Sequence, residues 1–515
     1  MSPGTWDHFN YYTPLIRQLD LRARPDVSIP TPCLLQILTL PGRPDTFFPN
    51  LEAITMSQIA HSERDLLFIL IGPALQTVNI AYSSEIHVLN QIPANWNLLL
   101  SQASGDNSAG LQTLLAAVPK LAFSSPHLQS FRYCGLVSRD FFLQIGSLKS
   151  LTSLDLTLAS YQDASILFEL RQPHLLEMLK LVAPSLSCTM CYSSVTAAEE
   201  WLRSTGNHEN HFPHLHTLWI EAREYTHLAT RQCLKPRRLH SLTLCMTGVG
   251  VPHSYHLCLG NYLHQNQDLQ TLYVEFIESG STDPFPANPF AWPSASEAAD
   301  SARSALALCV HLSDVFFVNI LHTLSGTTAS LLCSSMPSWK KLKDLTFHVK
   351  TPALAVIQPN TTSNTNNFPG LSFLADTIWA DCLVLGALGF EFDLQHFHED
   401  VVRRIEDEVS QPPDHKIHQE RYSSGHPLKR LTINTPTGGS QPVVLEGLIT
   451  TTRYLERYFP LLTAVKGQGV MTNVWFTVKA LVQSHRLARQ HAYSQLVYNS
   501  ENGASECVAC GHTWG

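Results

Sequence analysis

Apolar residues recur along the chain in a six-residue frame, apolar-x-x-apolar-x-apolar. It begins at Ile16, Leu51, Leu75, Leu128, Leu151, Leu176, Leu215, Leu239, Leu269, Leu312, Leu342, Leu385 and Leu428. In Leu151, Leu154, Leu156 or Leu215, Leu218, Ile220 the last two apolar positions alternate with polar ones. Period two is the signature of a short strand that buries one face and turns the other to solvent. Several copies carry a proline two residues ahead of the first apolar position: Pro49, Pro126 and Pro213. Between copies the pattern changes to helical spacing, as in Leu111–Val118, and again over Thr472–Ala492, where Val474, Trp475, Val478, Leu481, Val482 and Leu487 share a face.

The distance between copies decides how to read them. It is 24 residues from 51 to 75, 23 from 128 to 151, 25 from 151 to 176 and 24 from 215 to 239. Units of 20–29 residues with this frame are leucine-rich repeats. One such unit cannot bury its own apolar face, so neighbours must stack. The expected fold is α/β: an irregular leucine-rich-repeat solenoid with a curved parallel sheet, outer helices and a C-terminal helical cap. The solenoid is expected over residues 1–450, with longer gaps of 30 and 43 residues late in the series marking insertions. Insertions are placed near 279–299, where a Pro-rich loop leads into a returning helix over Ser294–Cys309, and near 357–369. A charged helix is expected over Asp400–Val409. Residues 451–499 should supply the capping helix and 500–515 a loose tail. The Asn that usually ties one repeat to the next is not found at a regular place in this chain.

Composition narrows the function. With a net charge of −8 and 15% charged residues, the chain lacks the basic surface that a nucleic-acid footprint requires. At 44% hydrophobic it is too apolar for a disordered chain. The N-terminus carries no basic segment followed by an apolar core, and no apolar run reaches the roughly 18 residues that cross a bilayer. A cytoplasmic or nuclear location and no membrane partner are therefore expected. The 12 cysteines are mostly scattered among apolar residues and read as small hydrophobes in a reducing compartment.

One family resembles this chain. The opening Trp6-Asp7-His8-Phe9-Asn10-Tyr11-Tyr12, followed by Ile16-Arg17-Gln18-Leu19-Asp20-Leu21, is similar to the segment that follows the F-box in fungal F-box/leucine-rich-repeat proteins. Phe48-Pro49-Asn50-Leu51, Gly72-Pro73-Ala74-Leu75 and the end, Tyr458-Phe459-Pro460-Leu461 with Trp475, Val478, Arg486 and Arg489, match that family's style. The resemblance implies a ubiquitin-ligase adaptor that holds a protein target on its repeats. In the family a helical F-box precedes the Trp segment, whereas here five residues precede Trp6. A Skp-type linker is thus an expected partner only where an F-box lies upstream. A stand-alone repeat scaffold is the alternative within binding proteins.

No residue set points to catalysis. A P-loop, Gly-x-Ser-x-Gly, His-Glu-x-x-His and Gly-x-Gly-x-x-Gly are all missing from the sequence. Cys507 and Cys510 with His512 resemble half of a zinc site, but a structural site needs four ligands and the other pair, Cys188 and Cys191, lies far upstream. His208, His211, His214 and His216 read as surface histidines, as do His396 and His398. An unrecognised metal-dependent or hydrolytic enzyme is the remaining alternative; no cofactor, metal or catalytic residue is assigned. The expectation is a non-catalytic protein-interaction scaffold. Its target face should be the concave side of the strands, carrying Arg132, Asp155, Lys180, Trp219, Glu221, Tyr273, Glu275, Phe316 and Arg430. Aromatic residues and Arg dominate binding hot spots, and Trp219, Tyr273 and Phe316 share one position of the frame, as an aromatic stripe would require.

Overall fold

A computed structural model describes residues 3–22, 36, 39–40, 43–57, 66–81, 107–135, 137–158, 175–183, 212–222, 227, 230–231, 234, 236–247, 252–277, 295–320, 322–349, 377–378, 381–391, 426–435, 445–469 and 472–501. The chain forms two compact units, Met1–Cys309 and Val310–Gly515. The first holds the strands β1 (Gln18–Arg22), β2 (Ala53–Ser57), β3 (Thr77–Ala81), β4 (Ser130–Gly135), β5 (Ser153–Leu158), β6 (Met178–Ala183), β7 (Thr217–Ala222), β8 (Ser241–Thr247) and β9 (Thr271–Ile277). Its helices are α1 (Pro3–Tyr12), α2 (Leu66–Leu70), α3 (Asn107–Ser124), α4 (Arg139–Ile145), α5 (Pro252–Gln265) and α6 (Ala295–Leu308). The second unit holds β10 (Asp314–Ile320), β11 (Asp344–Val349), β12 (Ala387–Glu391), β13 (Arg430–Thr435) and β14 (Ala464–Gly469), with α7 (His322–Ser335), α8 (Leu445–Tyr458) and α9 (Thr472–Glu501).

Within each unit every strand pairs in parallel with the next one in sequence, and neither run closes into a barrel. Among the described residues helices lie between several successive strands, such as α3 between β3 and β4 and α4 between β4 and β5, so the class is α/β. Each of the thirteen frames is a strand, and the frames pair position for position: Leu154 with Leu179, Leu156 with Leu181, Leu218 with Leu242, Ile220 with Leu244. The alternation holds side by side. Ile54, Val78, Phe131, Leu154, Leu179, Leu218, Leu242 and Leu272 form one completely buried column. Burying each such side chain stabilises the fold by about 1.5–3 kcal/mol. The helices seal the other side of this layer, as with Phe141, whose ring packs 5.1 Å from that of Tyr133. In the second unit the rings of Phe347 on β11 and Phe390 on β12 pack against each other within the buried face of the sheet, at 5.1 Å.

The lead-in to several strands is a tight turn. The amide of Leu51 donates to the Phe48 carbonyl, that of Leu75 to Gly72, Leu128 to Ser125 and Leu215 to Phe212. All four of these turns carry proline at the second position, Pro49, Pro73, Pro126 and Pro213; the fixed φ of proline suits that place. Two copies use a side chain instead. Leu239 N–H donates to Asn266 Oδ1 at 3.0 Å, and Leu428 N–H to His426 Nδ1 at 3.1 Å.

What ties repeat to repeat is the backbone. The residue after each leading apolar position accepts two N–H groups from the next copy: Gln129 O from Thr152 and Ser153, both at 2.9 Å, and Thr152 O from Glu177 at 2.8 Å and Met178 at 3.0 Å. The same pattern runs from Arg17 to Gln270 in the first unit and from Ser313 to Thr463 and Ala464 in the second. This ladder pairs the backbone groups at the entry of each of these strands.

The stretch 451–499 carries more than helices. β14 lies inside it and pairs with β13, Leu431 with Val465 and Ile433 with Gly467. α9 then covers β14 through Trp475, Val478 and Val482, all buried. The helix expected over Ser294–Cys309 is α6, and Leu111–Val118 falls within α3. The insertion loops near 279–293 and 357–369, the charged helix at 400–409 and the tail beyond 501 lie outside the described residues. No helix among the described residues is long and apolar enough to cross a membrane.

Candidate functional site

The outward positions of β4 to β9 align in rows because the strands pair in register. One row reads Arg132, Asp155, Lys180, Trp219, Thr243, Tyr273. Neighbouring strands stand about 4.8 Å apart, so adjacent members of a row are in side-chain reach. Arg132 Nε lies 3.2 Å from Asp155 Oδ2. Lys180 Nζ sits 3.2 Å from the centroid of the Trp219 ring, a cation–π contact. Trp219 Nε1–H donates to Cys245 Sγ at 3.2 Å. Tyr273 donates its hydroxyl proton to Glu275 Oε2 at 2.9 Å.

A second row follows, with Glu221, Cys245 and Glu275 paired across β7, β8 and β9. Partial burial pushes the Glu221 carboxyl up, with the Glu275 charge adding to the effect and Lys180 opposing it. Burial also lowers Lys180, against the pull of Asp155 and Glu221. Cys245 is pushed up to about 11 and Tyr273 to about 12, both chiefly by desolvation. Cys245 is therefore a thiol at neutral pH and a poor nucleophile. The chemistry these rows offer is recognition: an indole face, a phenol, and fixed charges of both signs.

Seven of the nine residues expected on the target face come together here: Arg132, Asp155, Lys180, Trp219, Glu221, Tyr273 and Glu275. Arg132 is exposed and the other six are half-buried. Phe316 and Arg430 belong to the second unit. Phe316 is half-buried and pairs in register with Thr346. Arg430 pairs with Ala387, one strand over from Asp344, and its Nη2 reaches Asp344 Oδ2 at 3.2 Å. The aromatic pair that the structure brings into one row is Trp219 and Tyr273, separated by Thr243.

Sequence reading missed a recess on the second unit. A cavity of about 440 Å³ is lined by Asp344, Thr346, His348, Gly389, Arg430, Thr432 and Lys466, among others. Its signal in the sequence is the pair of small residues at outward positions of β12, Ala387 and Gly389. Burial raises the Asp344 carboxyl, opposed by the Arg430 guanidinium, and lowers His348.

The metal candidates gain nothing. His214 is exposed, and His216 Nε2 lies 3.6 Å from Glu177 Oε2 at the surface. His208, His211, His396, His398, Cys188, Cys191, Cys507 and Cys510 lie outside the described residues. Among the described residues no group of three or more His, Cys, Asp or Glu is placed to hold a metal ion. Burial pushes Cys309, Cys333 and Cys382 each up to about 12, so they remain thiols packed with the core. No protein-family model matches the chain, and no curated protein matches it significantly.

Proposed function

We propose that the chain is an irregular leucine-rich-repeat solenoid that acts as a non-catalytic protein-interaction scaffold, holding a protein target against the outward rows of its strands. The observation that carries this reading is the in-register row Arg132, Asp155, Lys180, Trp219, Thr243, Tyr273, a pre-arranged mixture of aromatic and charged groups on a sheet face. Such a mixture is typical of binding hot spots. The frame and the 23–25-residue spacing support the repeat class. The role as the substrate-recognition part of an F-box ubiquitin-ligase adaptor rests on the family resemblance, and co-purification with a Skp-type linker tests it.

The test of the face is photocrosslinking from position 219 in the full chain, with position 143 on the helical side as control. Leu143 is exposed on α4. A defined target should crosslink from 219 and not from 143, and Trp219→Ala with Tyr273→Ala should cut capture by about tenfold or more while the circular dichroism spectrum stays unchanged. Equal crosslinking from both positions, or full capture by the double variant, refutes the reading.

A further inference from the structure

The second unit differs from the first in one respect. Two of the three outward positions on β12 are Ala387 and Gly389, so that stretch of the strand is nearly bare; the third, Glu391, is in register with Asn434. The flanking strands are furnished: Asp344, Thr346 and His348 on β11, Arg430 and Thr432 on β13. The two flanking strands stand about 10 Å apart, which leaves a slot one strand wide, the cavity of about 440 Å³. That size suits a side chain together with its flanking backbone. The Arg430 guanidinium reaches over Ala387 to Asp344 and closes one end.

The polar lining is dominated by donors. Asp344 is the one carboxylate among the described lining residues, and it is held by Arg430 and hydrogen-bonded by Thr346. Asp314 lies one strand further out and does not line the slot. Arg430 has further N–H groups beyond the one on Asp344, and Lys466, exposed on β14, adds an ammonium. The Thr432 hydroxyl, the His348 ring and the Asn319 amide complete the set. Backbone groups of β12 are already committed to β11 and β13 on either side, so recognition falls to side chains.

We propose that this slot receives the carboxylate of an Asp or Glu side chain from an extended acidic segment of the bound protein target. Arg430 and Lys466 supply the opposite charge, and Gly389 supplies the room. The inference rests on the scaffold reading and adds the chemistry of the partner.

The test uses the full chain and a fluorescein-labelled tetraglutamate peptide, read by fluorescence anisotropy, with the tetraglutamine peptide as the uncharged match. A Cβ at Gly389 would meet Thr346 and Thr432 only at ordinary contact distances, 3.6–3.7 Å. Gly389→Val therefore fills the slot without disturbing the strand, and its melting temperature should match the parent. The tetraglutamate peptide should bind at least about tenfold more tightly than tetraglutamine, and both Gly389→Val and Lys466→Gln should weaken it, the former by about tenfold. Lys341→Gln, outside the slot, should leave it unchanged. Equal binding of the two peptides overturns the proposal, as does full affinity in Gly389→Val. So does inorganic phosphate binding with the same variant sensitivity while the peptide does not bind, which would make this a small-anion site. Crosslinking of a target from position 219 is read independently, so the scaffold stands or falls apart from the slot.

Discussion

The end of the second unit offers a test with a sign change. β14 buries Val465, but its next inward position is Gly467, in register with Ile433 where earlier strands carry a second apolar side chain. The space is filled by Trp475 from α9, 2% exposed. A methyl at Gly467 would overlap the Cβ, Cγ and Cδ1 of Trp475. These atoms sit next to the helix backbone and cannot swing aside, so Gly467→Ala must push the indole out. Removing a buried Trp costs about 3–5 kcal/mol. Trp475 Nε1 is buried without a hydrogen-bond partner, and releasing it returns about 1–3 kcal/mol. Trp475→Ala should therefore cost a net of about 2 kcal/mol, within a range of about 0–4 kcal/mol, and Gly467→Ala about 1–3 kcal/mol or more. In the Trp475→Ala background the methyl enters a vacated space and the strand loses a glycine, so the same substitution should stabilise by about 0.5–1 kcal/mol. The coupling is on the order of 3 kcal/mol. Hydrogen exchange on peptides spanning 445–482, followed through a urea titration, measures this region apart from the first unit. If Gly467→Ala destabilises equally in both backgrounds, the indole does not rest on Gly467 and the account of the cap is wrong.

Two further stability predictions follow from buried polar groups, and the two binding tests above complete the set. His227 is fully buried; its Nε2–H donates to the carbonyls of Ala222 and Cys245 at 3.1 and 3.2 Å, and burial depresses it to about 4. The unfolded chain takes up this proton near pH 6.5, so the contribution is intact above that value and lost as pH falls toward 4; from pH 7.5 to pH 5 the first unit should lose about 2 kcal/mol. Urea unfolding at the two pH values checks this, and a His227→Gln variant, which keeps a donor but does not titrate, should flatten the slope; an unchanged slope would assign it to other groups. Asn266 bridges Leu239 N–H and the Tyr262 carbonyl while itself buried. Asn266→Ala strands both groups and should cost about 1–3 kcal/mol, seen as faster exchange at the Leu239 amide than at Leu242; equal protection in the variant would contradict the bridge.

The frame was legible because its information is local. Two apolar positions at period two, a leading apolar residue and a turn-forming proline all fall within nine residues, and every copy so marked is a strand. β14 was not legible because its defect and its remedy are far apart by that measure: Gly467 breaks the frame, and the side chain that restores the core, Trp475, arrives eight residues later on a helix. The slot was hidden for a related reason. It is made of side chains that Ala387 and Gly389 lack, and its walls come from Thr346 and Thr432, each 43 residues from Gly389 in sequence. The backbone tie at the strand entries, made by the carbonyl after the leading residue, leaves no mark in a sequence. On the target face the alternation placed Trp219 and Tyr273 in one row correctly. Phe316 shares their frame position and belongs to the second unit.

The two outward surfaces invite different energetics of binding. In the first unit the polar groups are already engaged by neighbours: Arg132 with Asp155, Lys180 on Trp219, and Glu275 of the second row with the Tyr273 hydroxyl. A partner meeting this row finds side chains already held in place, and ordering a mobile side chain otherwise costs about 0.5–1.5 kcal/mol. It gains little from Coulomb attraction, since Arg132 and Asp155 neutralise each other and Lys180 rests on a π face. Affinity there should come from apolar contact with the indole and phenol, and should depend weakly on salt. The slot of the second unit is the reverse. Its floor is bare, and Lys466 is exposed, so a carboxylate entering it gains charge-assisted bonds that ionic strength screens within about 8–10 Å. A target that uses both surfaces should therefore lose only part of its affinity as salt rises, and Lys466→Gln should remove much of that salt-dependent part while Trp219→Ala leaves it in place.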